Sequence, residues 1–262
     1  SLFDPLFEDA ENNLKGRRFY LDHTYQLKLK DSLENNGLKL GHVLHMEDKF
    51  YHYTQAQNSA VFGDTFVNSN LSDKNTFDHF YSEVNAEYNN NILGIFKAKL
   101  GYNQYNYGYN SLVILDGQTI ANRLNESVVS FEGGYKNQIG AVALTADLGV
   151  NVAGDLEGNF LDVQANYKIN KDFSAVAALN SNSSVANYNY RLYQSDYLSY
   201  NWQNSFKNQQ SQQLAFDLRS KKYGDLSVDY TTVNNYLYFE DKGLGVKPVS
   251  YTHLRAHETT RH

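Results

Sequence analysis

Histidines and carboxylates are the side chains of this sequence that could ligate a metal or pass a proton. His42 and His45 stand at an interval that would suit two ligands on a helix. On a strand, an interval of three sends the two side chains to opposite faces. His23 and His42 become diagonal neighbours if 18–30 and 37–49 form a hairpin in which Lys30 meets Gly37. Two imidazoles fall short of the three or four ligands of a zinc site. They read instead as an interfacial or protein-covered polar pair, with Asp48 on the same parity at the level of lipid headgroups. Asp22 falls near His45 on the other face, loosely the geometry of an acid–base hydrolase, but a hydrated ion pair is the commoner meaning of such a contact. There is no G-x-S-x-G, Walker loop, H-E-x-x-H or calcium loop. The sequence therefore assigns no catalytic, cofactor-binding or metal-ligating residue, calls for no cofactor, and does not read as an enzyme.

The elements that carry these side chains are legible from period. Within 126–179, Val142, Leu144, Ala146, Leu148, Val150 and Val152 alternate with Ala143, Thr145, Asp147, Gly149 and Asn151. Leu161, Val163, Ala165 and Tyr167 alternate with Asp162, Gln164, Asn166 and Lys168, and Phe173, Ala175, Ala177 and Leu179 repeat the pattern. A period of two with one uncharged face marks strands wet on one side only. Further strands are expected at about 18–30, 37–49, 80–88, 92–103, 127–136, 199–207, 212–220 and 225–234. The turn Asn89-Asn90-Asn91 would pair Tyr88 with Ile92 and set Glu83 opposite Lys97, a favourable cross-strand contact. Connections follow a partial parity: the odd-numbered ones are short, the three longest are the second, fourth and eighth, and the sixth and tenth are short too.

Two architectures share this alternation. One is a soluble antiparallel sheet or sandwich. The other is an antiparallel up-and-down transmembrane β-barrel, incomplete here, with about eleven or twelve strands, and three features favour it. Strand lengths of about 9–11 residues suit a tilted membrane strand. Hairpins follow one another without crossing, and short turns at one rim face long loops at the other. The dry face would then meet lipid through Val142, Leu144, Leu148, Val150, Leu161, Val163 and Leu179. The wet face would line a lumen through Glu83, Lys97, Lys99, Asp147, Asn151, Asp162, Gln164 and Asn166. Tyr88, Tyr102, Tyr135, Tyr167, Tyr200 and Trp202 fall near strand ends on the dry parity, where amphipathic rings form an interfacial belt.

Composition bounds the rest. With no cysteine, disulfides and thiolate metal sites are excluded. The net charge of −6 argues against a nucleic-acid partner. No apolar run approaches 18 residues, so no helix spans a bilayer, which leaves barrel strands unaffected. Three segments divide the chain. Residues 1–16 are an acidic lead-in without signal-peptide character, resembling the middle of a longer chain. Residues 17–248 are the barrel. Residues 249–262 resemble a one-frame translation of a sequencing-library transposon adapter and read as an artefact.

Arg18-Phe19-Tyr20-Leu21-Asp22-His23, Leu40-Gly41-His42, and the stretch 197–207 followed by Asn234-Asn235-Tyr236-Leu237-Tyr238-Phe239 resemble the outer-membrane porin family of the Bacteroidetes group. The similarity runs over about 17–248. It implies a barrel in the outer membrane of a Gram-negative bacterium, embedded in lipid and passing small polar solutes by diffusion, and it supplies no catalytic residue. Two alternatives stand beside it: the barrel of an energy-coupled outer-membrane transporter, and a soluble β-rich binding or surface protein. A slight acidic excess on the wet face implies a weak preference for cations.

Overall fold

In the computed structural model, which describes residues 8–28, 37–239 and 246–259, eleven strands form one antiparallel sheet ordered as the chain runs. They are β1 Ala10–Lys28, β2 Gly37–Gln57, β3 Ser69–Asn90, β4 Gly94–Tyr109, β5 Arg123–Ile139, β6 Val142–Gly154, β7 Asn159–Lys168, β8 Phe173–Ser184, β9 Gln209–Ser220, β10 Gly224–Phe239 and β11 Val246–Thr259. This is an up-and-down wall, and β1 and β11 are its two edges among the described residues. Short connections (91–93, 140–141, 169–172, 221–223) gather at one rim. The long ones (58–68, 110–122, 185–208) gather at the other, together with the short 155–158.

Period two survives the pairings outside two register shifts, between Val129 and Ser130 and between Val233 and Tyr236. Leu21 lies opposite Leu44, Met46 opposite Phe80, Val84 opposite Leu100, Phe131 opposite Val150, Leu148 opposite Leu161, and Leu179 opposite Leu214. All of these share one face. Phe19, Leu40, Met46, Val84, Leu100, Phe131, Leu148, Val150 and Leu214 are between 40% and 57% exposed. No described element packs over them. A soluble sandwich would bury such a face against a second sheet.

Two hairpin registers differ from expectation. Lys28, not Lys30, meets Gly37, which brings His23 directly opposite His42. Lys30 and the expected turn at 31–36 lie outside the described residues. In the hairpin of β3 and β4, Asn90 Oδ1 accepts the N–H groups of Ile92 (2.9 Å) and Leu93 (2.8 Å). Gly94 takes a positive φ of 91°. The turn therefore sits at 91–93, and Glu87 rather than Glu83 faces Lys97, with Glu83 opposite Gly101. Both slips are by an even number of residues, so no side chain changes face.

Strand lengths are the larger correction. β1 to β4 have 19, 21, 22 and 16 residues, against 10 to 13 in β6 to β9. Residues expected in the lead-in and in the polar stretch 51–75 thus continue strands. At about 3.3 Å per residue β3 runs roughly 70 Å, and tilted by about 40° it stands roughly twice as tall as a barrel's apolar band of about 25 Å. The outer face records the change. Above Phe19, Met46 and Phe80 it turns polar, with the Arg17–Asp48 ion pair (3.0 Å) beside Asp78.

The expected strand at 199–207 is not part of the sheet. Only Trp202–Gln203 pairs there, with Leu192–Tyr193, and the sheet steps from β8 to β9. The eleventh strand is Val246–Thr259, which includes residues of the segment read as an artefact. It pairs along β10 with a register shift between Val233 and Tyr236, where Asn235 has a φ of 56°.

The Gly94 turn yields a test of the register. A Cβ there would sit 2.4 Å from the carbonyl oxygen of Lys136 as well as at positive φ. Gly94→Ala is expected to destabilise by about 1–3 kcal/mol. Gly133→Ala, whose Cβ would meet only Leu148 at 3.6 Å, should stay within about 0.5 kcal/mol. Denaturant titration of refolded protein compares the two.

Candidate functional site

A cluster of buried apolar side chains sits beneath one connection and not between layers. Tyr107, Tyr109, Ile120 and Leu192 form the cluster of buried residues, flanked by Phe77, Val113, Leu124 and Tyr188. Phe77, Tyr107, Tyr109 and Leu124 lie on the inner parity of β3 to β5. Leu192 belongs to 185–208. That connection leaves β8, crosses the inner face and reaches β2 and β3.

The Asn-rich sequence of 185–208 explains how an irregular segment holds a shape. Asn187 accepts from the Asn189 N–H (3.1 Å) and caps the single helical turn Tyr188–Arg191. The Asn201 amide donates to the carbonyls of Ser195 (3.0 Å) and Tyr197 (2.8 Å), and its oxygen accepts from the Ser195 N–H (3.1 Å). Asn204 donates to the Tyr190 carbonyl (3.1 Å), and Trp202 Nε1 to that of Asn189 (3.0 Å). Side-chain amides here take the place of a missing backbone ladder.

Long-range contacts then dock the segment. The Tyr197 hydroxyl donates to buried Gln55 (2.7 Å) and accepts the Ser59 N–H (3.0 Å). Asp73 accepts the Asp196 N–H (2.7 Å) and the Ser195 hydroxyl. Asp196 in turn accepts the Ser72 N–H (2.7 Å). Tyr107 donates to Asn189 (2.8 Å) and stacks on Tyr188 at 5.1 Å. Arg191 makes a two-pronged ion pair with Glu126, one prong at 2.9 Å. Those hydrogen bonds hold the Arg191 guanidinium above its usual pKa, and burial pushes the phenols of Tyr188 and Tyr193 up. On the far side, the bulge at Asn235 turns Phe239 toward Tyr190 (4.9 Å) and Trp202 (5.9 Å). Asn235 itself donates to the Asn208 carbonyl (2.9 Å). The segment is a strap across the inner face, tied at both ends.

Below the strap the inner wall is polar and of two kinds. On β1 to β5 opposite charges interleave: Arg18 and Lys49 on Glu47, Lys39 and Lys97 on Glu87, and Lys99 on Glu132 at 3.1 Å. Glu83, Lys97 and Lys99 all lie on this face. On β6 and β7 the wall carries Asn151, Gln164, Asn166 and the directly opposed pair Asp147 and Asp162, so the expected inner residues share one face. Val142, Leu144, Leu148, Val150, Leu161, Val163 and Leu179 share the opposite face.

Tyr88, Tyr102, Tyr135 and Tyr167 are on the outer parity. The outer rings of Phe96 and Tyr135 touch at 4.9 Å, as do Phe80 and Tyr102 at 6.3 Å. Tyr200 and Trp202 depart from expectation, because the strand that was to carry them is the strap. Tyr200 packs on Phe62 and Tyr197, and Trp202 stacks on Tyr193 at 4.8 Å.

His23 and His42 face each other at 5.1 Å on the outer face, and His42 bonds to Ser82 (3.1 Å). Asp22 is opposite Val43; Tyr20, not Asp22, stands across from His45. Asp22 is thus diagonal to His45 and not directly opposite it, and takes the Tyr20 hydroxyl at 3.4 Å. Sequence reasoning missed Asp73, Glu126, Arg191, Leu192 and Tyr197. The available signal was Leu192 and Tyr197 standing as bulky apolar groups within an Asn- and Ser-rich run.

A family model described as "Putative porin" matches residues 1–252. The crystal structure of the siderophore receptor PirA from Acinetobacter baumannii is similar with a TM-score of 0.54 at 8% identity. The likeness covers 91% of this chain and 41% of the receptor, so the chain spans well under half of that protein's length, and it concerns the fold alone. No curated protein matches the chain.

The docking of the strap can be loosened at one point. Arg191 and Glu126 side chains are 15% and 10% exposed, so Arg191→Ala strands a largely buried carboxylate at a cost of about 3–5 kcal/mol. Limited proteolysis should then cut within 185–208 while the sheet stays intact. Glu126→Gln combined with Arg191→Ala should restore part of the protection.

Proposed function

The chain belongs to this porin family, and on that premise we propose that it forms part of the wall of an outer-membrane channel through which small polar solutes diffuse. The observation that carries the reading is the pairing of an uncovered apolar face with a charged inner face that a strap partly covers. In hydrocarbon each unpaired backbone group costs several kcal/mol, so a sheet can span only if its edges are closed by further strands. The apolar face is read as lipid-facing, and Tyr88, Tyr102, Tyr135 and Tyr167 as interfacial anchors. The strap narrows the long-loop end. Transport needs no cofactor, no catalytic step and no energy input. The membrane is the outer membrane of a Gram-negative cell, of the Bacteroidetes group that the sequence resembles. Residues 249–262 are read as foreign to this wall, since the open edge of β10 accepts any extended segment as a partner.

Asp147 and Asp162 oppose each other, and among the described residues neither makes an ion pair, whereas Glu47, Glu87 and Glu132 on β2, β3 and β5 pair with lysines or arginine. The channel should therefore prefer cations weakly.

Two measurements test this reading. Val163→Arg should cost about 2–4 kcal/mol on refolding into lipid vesicles, whereas Gln164→Arg, one residue along and on the other face, should be nearly neutral. Equal costs would end the lipid assignment. In planar bilayers the full-length protein should conduct without an energy source, with a reversal potential in a KCl gradient of cation-selective sign. Asp147→Asn with Asp162→Asn should bring that potential toward zero. An anion-selective sign would reject the charge assignment, and silence without an energy source would reject passive diffusion.

A further inference from the structure

Between the strap and the upper ends of β1 to β3 lies a cavity of about 370 Å³, within the range of small-molecule sites of about 300–1,000 Å³. Three separate parts of the chain bring aromatic rings to it: Tyr51 and Tyr53 from β2, Phe62 from the 58–68 connection, and Tyr193, Tyr197 and Tyr200 from the strap. Phe62 meets Tyr197 and Tyr200 edge-on at 5.1 and 5.9 Å. Tyr193 has its back held by Trp202, stacked at 4.8 Å with an interplanar angle of 19°. Six rings that converge from segments far apart in sequence do more than close a loop.

The hydrogen-bonding groups around them have a definite polarity. Tyr53 and Tyr197 both donate their phenolic protons to the same oxygen of Gln55, each at 2.7 Å; the Tyr53 oxygen is left as an acceptor, while that of Tyr197 already takes the Ser59 N–H. Tyr51 donates to the Asn12 oxygen, so the amide hydrogens of Asn12 remain as donors. The carboxylate of Asp73 already accepts from Ser195 and from the Asp196 N–H, with a lone pair left on each oxygen. No lysine or arginine lines the cavity, so an anionic ligand has no partner there. The one carboxylate, Asp73, already shares its charge with two protein donors, which weakens it as a partner for a cation while leaving room for a hydroxyl.

We propose that this cavity binds neutral sugars: a pyranose ring lays its C–H face on the tyrosine rings, donates hydroxyls to the phenolic oxygens and Asp73, and accepts from Asn12. Its place at the long-loop end makes it the first binding station for a solute entering the channel. Nearer the short-turn rim, further inner-face rings continue across the wall, with His45 at 5.3 Å from His79 and His79 stacked on Tyr105 at 4.5 Å. The use of the site as an entry station rests on the channel reading; sugar binding does not.

Trp202 is the single tryptophan of the chain, and it backs Tyr193, so its emission reports on the cavity. Titrating the full-length protein in detergent with maltotriose and with cellotriose should give a saturable change in emission at millimolar sugar for at least one of them. Tyr53→Ala should weaken the apparent affinity about tenfold, and Tyr53→Phe far less, since a ring face is worth more than its hydroxyl here. If Tyr53→Ala loses the strand signature in circular dichroism, Tyr51→Ala is read in its place, with the same expected loss. Absence of a saturable change with both sugars overturns the proposal, as does an unchanged affinity in the alanine variant. A response to choline but to neither sugar also overturns it and makes the cavity a cation cage. Conductance is measured separately: a protein that binds sugar without conducting keeps this site and loses the channel, and one that conducts without binding does the reverse.

Discussion

A β-strand cannot satisfy its own backbone. Within this sheet N–H and C=O groups are handed sideways to neighbouring strands, and the rest of the structure follows from that lateral demand. It makes consecutive strands pair in chain order. It also sorts side chains by parity, because a strand clamped on both sides has only two faces to offer. Apolar residues on one parity and polar residues on the other then become two surfaces extending across all eleven strands. The same demand leaves an unfinished edge reactive, and that is reason enough for the last described strand to lie along β10 irrespective of its origin.

The strap works by the opposite means. It has almost no ladder of its own beyond Leu192–Tyr193 with Trp202–Gln203. Its carbonyls and N–H groups are met by asparagine side chains, and its position is set by a few anchors of large reach. Leu192, fully buried, supplies apolar contact. Arg191, Asp73 and Gln55 supply direction, because charge-assisted and buried hydrogen bonds tolerate little misplacement. A polar, irregular segment is thus held as firmly as a strand.

What could be read beforehand divides along the same line. The alternation of Leu161, Val163, Ala165 and Tyr167 against Asp162, Gln164 and Asn166 is a local signal, and the faces follow from it. Registers were less secure, since the choice between Asn90 and its neighbours as the turn depends on which side chain closes on the backbone, and Asn90 does. The extent of β2 and β3 was hidden because above the apolar band both faces carry polar groups, and period two then leaves no trace. The strap was legible only as one of the three long connections, not as a docked element. Tyr197 meets Gln55 across 142 residues of sequence, and Asn-rich composition says only that a ladder is missing, not what replaces it. Tyr200 and Trp202 were misplaced for that reason: their spacing imitates a strand.

The unequal strands have a consequence for how the molecule meets its surroundings. β1 to β4, of 16 to 22 residues, rise well beyond β6 to β9, of 10 to 13, at the long-loop rim. That rim of the wall is therefore cut on a slant, like the end of a quill.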